Sequence, residues 1–72
     1  DVQVGDFCHL APGSVVGGGA QIGANVFLGT NATILPSIAV ADGVVIGAGA
    51  LVTNDITKAG VYVGLPARRL PK

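Results

Sequence analysis

Aliphatic residues recur at every sixth position through most of the chain. The series is Val4, Leu10, Val16, Ile22, Leu28, Ile34, Val40, Ile46 and Val52. A spacing of six fits neither the 3.6-residue repeat of an α-helix nor the two-residue alternation of an ordinary strand. It predicts a repeated unit of six residues with one inward aliphatic side chain. We call this unit a hexad and count its positions from the aliphatic residue.

The other positions of the hexad keep the same repeat. Position five holds nothing larger than Ile from Cys8 to Ile56, which predicts a second inward row. Positions three and four hold residue types that turns select. The pairs are Pro12-Gly13, Gly18-Gly19, Ala24-Asn25, Thr30-Asn31, Pro36-Ser37, Asp42-Gly43, Ala48-Gly49 and Asn54-Asp55. Each hexad therefore reads as a short strand and a corner, and stacked units of this kind are typical of an all-β solenoid.

Composition limits the size and surroundings of this solenoid. The 72 residues suffice for one domain with a small core. Half of the residues are hydrophobic, but polar residues, Gly or Pro interrupt them in register with the repeat, so no membrane span of about 20 apolar residues is predicted. The pattern starts partway through a hexad, because Val2 already occupies position five. We therefore expect a fragment whose first coil is an uncapped end.

Charge and cysteine usage restrict the partners. The net charge is zero, which argues against a nucleic-acid-binding surface. Cys8 is the only cysteine, so it has no disulfide partner within the chain, and a cytoplasmic protein is expected. Its inward position favours a small buried hydrophobic role. All four acidic residues precede the basic ones, and the basic tail with Arg68 and Arg69 suits either a phosphorylated ligand or a solvated terminus.

His9 is the only histidine, the residue type that most often serves in proton transfer near neutral pH. It follows the only turn that departs from the pattern, where Phe7 stands at a position held elsewhere by Gly, Asn, Ser or Asp. Departures of this kind gather at functional sites. A lone histidine is nevertheless more often structural, so the residue pattern leaves both interpretations open.

Hexads of the form aliphatic-Gly-x-x-small-x, such as VGDFCH, IGANVF, LGTNAT and IGAGAL, resemble those of the hexapeptide-repeat acyltransferases. The resemblance covers residues 1 to about 67. It implies a left-handed parallel β-helix with three hexads in each triangular coil. About three coils are then expected over residues 1–57, followed by an extended segment over 58–72 with the closing motif Gly64-Leu65-Pro66-Ala67-Arg68. The left hand comes only from the resemblance, since strand crossovers are right-handed in about 98% of cases.

Longer stretches resemble one branch of these enzymes, the sialic acid O-acetyltransferases and the bacillosamine or perosamine N-acetyltransferases. These stretches are DVQVGDFCHLAPGSVVGGGAQIG, FLGTNATILPSIAVADGVVIGAGALVTNDI and GVYVGLPARRL. The resemblance implies acetyl transfer from acetyl-CoA to an amino or hydroxyl group of an amino sugar, nucleotide-linked or a sialic acid, without a metal. It also implies a homotrimer, with each site in the groove between adjacent β-helices, and an N-terminal sugar-binding domain outside the present sequence.

The same resemblance assigns roles to the residues around the reacting group. The branch's general base is a histidine followed by an acid, and the motif matches from Asp1 onward. The base would therefore immediately precede Asp1, and Asp1 would orient it. His9 matches the histidine that contacts acetyl-CoA near its thioester, where a ring N–H would stabilise the developing oxyanion.

Further residues would hold the remainder of acetyl-CoA. Thr30 and Ala48, and more weakly Gly18, fall where the family lines the acetyl-CoA groove, chiefly through backbone groups. Arg68 and Arg69 would meet a phosphate of CoA. Without the base and the acceptor-binding domain, the chain by itself is expected to bind acetyl-CoA but to transfer almost nothing.

Two other functions share this architecture. The γ-type carbonic anhydrases resemble these repeats but bind Zn through three histidines, which the single His9 does not supply. A non-catalytic β-solenoid, such as an ice-binding, scaffold or trimerisation domain, is the second alternative. Ice-binding faces need Thr at matching positions on successive coils, whereas at position six only Thr33 and Thr57 are Thr and their separation is not a whole number of coils.

Overall fold

The computed structural model describes residues 1–71, and its regular structure consists of short β-strands. Most strands comprise position six of one hexad and position one of the next. They are β1 (Gln3–Val4), β2 (His9–Leu10), β3 (Val15–Val16), β4 (Gln21–Ile22), β5 (Phe27–Leu28), β6 (Thr33–Ile34), β7 (Ala39–Val40), β8 (Val44–Ile46), β9 (Leu51–Val52), β10 (Gly60–Val63) and β11 (Arg68–Arg69). The all-β prediction is confirmed. In this described range, no helix has the length and apolar character needed to cross a membrane.

Strands one coil apart pair in parallel and build three sheets. Gln3 lies opposite Gln21, and Gln21 lies opposite Ala39, so the register advances 18 residues per coil. The first sheet has the order β1-β4-β7, the second begins with β2-β5-β8, and the third is β3-β6-β9. Three hexads therefore complete one coil, as predicted.

Three corners join the sheets. Each corner consists of positions three and four of the hexads stacked along one edge. The first corner, between the first and second sheets, holds Asp6-Phe7, Ala24-Asn25 and Asp42-Gly43; the second corner, between the second and third sheets, holds Pro12-Gly13, Thr30-Asn31 and Ala48-Gly49; the third corner, between the third and first sheets, holds Gly18-Gly19, Pro36-Ser37 and Asn54-Asp55.

The closing segment continues the solenoid beyond the third coil. β10 pairs in parallel with β8, with Val61 opposite Val45, and β11 folds back antiparallel on β10. The turn between β10 and β11 is held against the third sheet. There the Leu51 N–H donates to the Gly64 carbonyl at 3.1 Å, and the Ala67 N–H donates to the Leu51 carbonyl at 2.8 Å. With β10 and β11 added, the second sheet has five strands.

Side chains at positions one and five fill the interior, which confirms both predicted inward rows. The core comprises Ala20, Ile22, Val26, Leu28, Ala32, Ile34, Ile38, Val40, Val44, Ile46, Ala50, Val52 and Ile56. Cys8 packs partly buried against this cluster, and its thiol donates to the Gly23 carbonyl at 3.1 Å. Val4 and Leu10 remain 43% and 44% exposed, because within residues 1–71 no coil covers the open side of the first coil.

Position four adopts the left-handed backbone conformation in every hexad from Phe7 to Gly49. The residues are Phe7, Gly13, Gly19, Asn25, Asn31, Ser37, Gly43 and Gly49, with φ between 57° and 77°. Gly and Asn tolerate this conformation better than other residues, which explains the turn residues at this position. Phe7 adopts it despite its bulk and is 86% exposed, so it is a true conformational outlier.

Glycine at position two has a different cause, the close approach of successive coils. A Cβ added to Gly29 would lie 2.6 Å from the backbone nitrogen of Ala48, one coil further on. At Gly18, which occupies position three, an added Cβ would meet nothing within 4 Å. The stacking distance therefore excludes a side chain at Gly29 but accommodates one at Gly18.

This contrast predicts unequal effects of one added methyl group. Gly29→Ala should lower the free energy of unfolding by about 1–3 kcal/mol, the usual result of overpacking. Gly18→Ala should change it by less than about 0.5 kcal/mol, because the site is open. Urea denaturation followed by circular dichroism measures both variants. Equal losses in the two variants would contradict the proposed stacking constraint.

Candidate functional site along the second corner

His9 lies in an outward row on the second sheet. The register places His9 opposite Phe27, Phe27 opposite Val45, and Val45 opposite Val61. The three hydrophobic members of this row are 36–40% exposed. The outer face of the second sheet is therefore a hydrophobic row that begins with the His9 imidazole on β2.

The His9 imidazole stacks on the Phe27 ring. The ring centroids are 5.0 Å apart, and the ring planes differ by 6°. Among the hydrogen bonds within residues 1–71, none involves the imidazole. Because the ring nitrogens lie in the imidazole plane, the stack leaves them at the ring edge, available to a ligand.

Thr30 and Ala48 lie one coil apart on the second corner. The Gly49 N–H donates to the Thr30 carbonyl at 2.8 Å, which ties the two coils together. Both residues are exposed, and their own N–H groups donate to nothing in the described part of the chain. These N–H groups are therefore available as backbone donors.

The first corner shows why the second corner keeps its donors. There the Ala24 N–H donates to the Asp42 carboxylate at 2.7 Å, from position three of the next coil. Ala48 occupies the equivalent place one coil after Thr30 and has no oxygen in its side chain. At position three, the Asp42 carboxylate accepts the N–H of Ala24, whereas Ala48 has no side-chain oxygen to accept the N–H of Thr30.

The two arginines of β11 differ in their surroundings. Arg69 donates from Nε and Nη2 to the Ala59 carbonyl, at 3.2 Å each, and lines a shallow groove of about 290 Å³ with Gly60, Val61, Leu70 and Pro71. Arg68 lies opposite Val63, next to the closing turn, and its guanidinium makes no hydrogen bond within residues 1–71. Arg69 therefore holds the hairpin together, whereas Arg68 is available to a ligand.

The fold places Thr30, Ala48 and Arg68 at or beside the second corner and His9 on the adjoining outer face of the second sheet, and we call this set the second-corner strip. His9 is on β2, Thr30 follows β5, Ala48 follows β8, and Arg68 is on β11. Four strand spacings of about 4.8 Å separate β2 from β11, so the strip is about 19 Å long. It can hold an extended ligand with a reactive group at one end and an anionic group at the other.

Two of the predicted site residues lie elsewhere. Gly18 is on the third corner, where its carbonyl accepts a hydrogen bond from the Ser37 N–H at 2.9 Å. Asp1 precedes β1 and so lies on the side of the first sheet that faces the third corner. Within one copy, the structure does not bring Asp1 and Gly18 to the second-corner strip.

Sequence reasoning missed one contributor to the site, Phe27, and two carboxylates that cap backbone N–H groups elsewhere in the coil. Phe27 was not singled out, although it follows His9 by one coil at the same hexad position. The capping role of Asp42 was also missed, as was that of Asp55, whose carboxylate accepts from the Ala39 N–H at 2.9 Å. For Phe27 and Asp42 the signal was present in the 18-residue register, whereas Asp55 and Ala39 are 16 residues apart.

Residues 1–71 contain no cluster of potential metal ligands. No group of three or more His, Cys, Asp or Glu side chains there is placed to hold an ion. The three-histidine arrangement of the γ-type carbonic anhydrases therefore has no counterpart in this part of the chain.

Stacked hexads of this kind are characteristic of hexapeptide-repeat proteins. Residues 19–54, half of the chain, match the family model "Bacterial transferase hexapeptide (six repeats)". The chain belongs to this family, and the resemblance in its hexads is confirmed.

Several similar proteins carry the name acetyltransferase. Chloramphenicol acetyltransferase from Agrobacterium fabrum is 40% identical over 70 residues, which cover 97% of this chain and 34% of that protein. A putative acetyltransferase from Staphylococcus aureus is 36% identical over 67 residues, covering 93% of this chain and 34% of that protein. The chain thus spans about a third of the length of these relatives.

Solved structures confirm the left-handed parallel β-helix. PerB from Caulobacter crescentus, in complex with CoA and GDP-perosamine, matches 99% of this chain and 34% of its own, with 32% identity and a TM-score of 0.95. The acetyltransferase domain of PglB from Neisseria gonorrhoeae, in complex with acetyl coenzyme A, matches 89% of this chain and 31% of its own, with 36% identity and a TM-score of 0.85.

The two arginines should differ in their effect on stability. Arg69→Ala removes the hydrogen bonds to the Ala59 carbonyl and should cost about 0.5–1.5 kcal/mol. Arg68→Ala should stay within about 0.5 kcal/mol of the parent. Thermal unfolding of the two variants makes the comparison. A larger loss for Arg68→Ala would show that the hairpin contacts are misassigned.

Proposed function

We propose that this chain is the acetyl-CoA-binding β-helix of an acetyltransferase. Its acceptor is an amino or hydroxyl group of an amino sugar, nucleotide-linked or a sialic acid. The observation that carries the proposal is the second-corner strip, because CoA has a thiol at one end of an extended pantetheine arm and phosphates at the other. The complexes of PerB with CoA and GDP-perosamine and of PglB with acetyl coenzyme A support this choice.

The residues of the strip match the parts of acetyl-CoA in order. At one end, a ring N–H of His9 donates to the thioester carbonyl oxygen. The free N–H groups of Thr30 and Ala48 then meet the amides of the pantetheine arm, which offer carbonyl acceptors. At the other end, Arg68 meets a phosphate, for which a planar guanidinium is well suited.

His9, Asp1 and the general base have different roles in acetyl transfer. Acetyl-CoA supplies the carbonyl carbon to which the acceptor nitrogen or oxygen bonds while the bond to sulfur breaks. His9 stabilises the negative charge that develops on the carbonyl oxygen. The general base, at the position before Asp1, takes the proton of the attacking group and returns it to the departing sulfur, while Asp1 holds that base in the required tautomer.

The separation of Asp1 from His9 favours a site formed between copies. In one copy, Asp1 and Gly18 lie on the side of the third corner. The first sheet and the first corner separate them from the His9 imidazole. A neighbouring copy can bring its third-corner side against the second-corner strip. We therefore propose a homotrimer with one site at each of its three grooves. The single cysteine, which has no disulfide partner within the chain, suits a reducing compartment such as the cytoplasm.

Binding of the nucleotide end is tested by comparing acetyl-CoA with acetyl-pantetheine, which lacks the nucleotide and its phosphates. Arg68→Ala should weaken acetyl-CoA binding by about 1.5- to 5-fold, the range for an exposed ion pair, and the loss should shrink at high salt. Adding Arg69→Ala tests whether the second arginine contributes. Isothermal calorimetry at two salt concentrations provides the affinities.

Acetyl-pantetheine is the internal control, because its affinity should not respond to either substitution. If acetyl-CoA and acetyl-pantetheine bind with equal affinity in the parent and in the variants at both salt concentrations, the arginines do not contact phosphate and the basic tail is a solvated terminus.

The catalytic assignment predicts a ranking in the native protein that contains this chain. Replacing the residue before Asp1 should lower turnover by about 10²- to 10⁴-fold, the usual contribution of a general base. His9→Ala should weaken acetyl-CoA use but leave measurable activity, and Asp1→Asn should fall between the two. The rate of CoA thiol release measures all three variants. An inactive His9→Ala beside a tolerant position before Asp1 would instead make His9 the general base.

A further inference from the structure

Phe27 stacks on the His9 imidazole, which forms no hydrogen bond within residues 1–71. The two residues lie directly opposite each other on β2 and β5, and their rings are parallel within 6° at a centroid distance of 5.0 Å. A parallel, offset stack of this kind is a favoured aromatic arrangement. The plane of the imidazole is thus set by a residue one full coil away in the sequence.

This contact matters because no hydrogen bond within residues 1–71 fixes the His9 ring. A functional histidine is commonly oriented by a hydrogen bond to its second nitrogen. No such bond to His9 is present among the described residues, and the side chain is exposed. A donor that stabilises an oxyanion must already be in place when charge develops. An exposed imidazole without the stack would sample several rotamers.

Phe27 is also poorly explained as a core residue. It occupies position six, faces outward and is 40% exposed, whereas its neighbour Leu28 is fully buried. The next members of the same outward row, Val45 and Val61, are aliphatic and have similar exposure. Unlike these two valines, the Phe27 ring offers a flat surface on which the imidazole can stack.

We propose that Phe27 is a positioning residue that holds the His9 imidazole in the plane from which its N–H reaches the thioester carbonyl. The inference rests on the proposed function, because it assigns a partner to the histidine of that site. Phe27 acts through His9 and forms no bond with the reacting atoms. Both ring nitrogens of His9 remain at the uncovered ring edge, while Phe27 takes one face of the ring.

The affinity test compares acetyl-CoA with CoA, which lacks the thioester carbonyl. His9→Ala should weaken acetyl-CoA relative to CoA by about 2- to 10-fold, the effect of losing one hydrogen bond. Phe27→Leu should weaken it in the same direction, and Phe27→Tyr should preserve the parent ratio. The double variant His9→Ala, Phe27→Leu should lose no more than His9→Ala alone, because coupled residues do not give additive effects.

Val45→Ala is the matched control. It changes the adjacent rung of the same outward row, at similar exposure, but does not touch the imidazole. Its ratio of acetyl-CoA to CoA affinity should equal that of the parent. Calorimetry is carried out on the native protein that contains this chain.

A spectroscopic measurement tests the stack without reference to ligand. With histidine rings labelled, the carbon-bound protons of His9 should resonate upfield of free histidine, because they lie against an aromatic ring. The His9 signal is identified by its loss in His9→Ala. Phe27→Leu should move it back towards the free value, and Phe27→Tyr and Val45→Ala should leave it in place.

The outcomes separate the two proposals. If His9→Ala changes the affinity ratio and Phe27→Leu does not, or if the losses add, the role of Phe27 is wrong and the proposed function stands. If the parent shows no upfield His9 signal, the stack is absent and the role of Phe27 is again wrong. If the parent protein fails to bind acetyl-CoA, the proposed function is wrong, whatever the His9 signal shows.

Discussion

Parallel hydrogen bonding between each hexad and the hexad 18 residues further on is the constraint on which the structure depends. It places equivalent positions directly above one another, as with Gln3, Gln21 and Ala39. Because the strand pairs among β1 to β9 keep this register, the side chains at positions one and five face inward, and position four turns in each hexad from Phe7 to Gly49. The close spacing of the coils then decides which side chains fit, and at Gly29 none does.

The same register assembles the candidate site from residues far apart in the sequence. His9 meets Phe27 because they share a hexad position one coil apart, and Thr30 meets Ala48 for the same reason. The chemistry of a corner then depends on one side chain. An Asp at position three caps the N–H of the coil before it, as Asp42 does for Ala24, whereas Ala48 leaves the donor of Thr30 for a ligand.

Much of the fold could be predicted from the sequence, because the six-residue period directly reflects which side chains face inward. The strands, both core rows and the corners follow from that period. Phe7 departs from it in residue type, but its positive φ and its exposure are shown only by the structure. Handedness does not follow, since a repeat of six is compatible with either hand, and it came from family resemblance. The stack of His9 on Phe27 escaped prediction because the residue types at outward positions do not repeat from hexad to hexad.

The candidate site was only partly predictable for a related reason. His9 attracted attention as the only histidine, but Thr30, Ala48 and Gly18 were placed by resemblance as one set. Three hexads per coil put Gly18 on a different corner from the other two, and the different roles of Arg68 and Arg69 depend on a single carbonyl at Ala59.

A crystal structure of the native protein with acetyl-CoA tests the central claim most directly. The account predicts the thioester oxygen at about 2.7–3.1 Å from a ring nitrogen of His9, with the pantetheine arm passing Thr30 and Ala48 towards Arg68. Acetyl-CoA bound along the first sheet, away from His9, would contradict it.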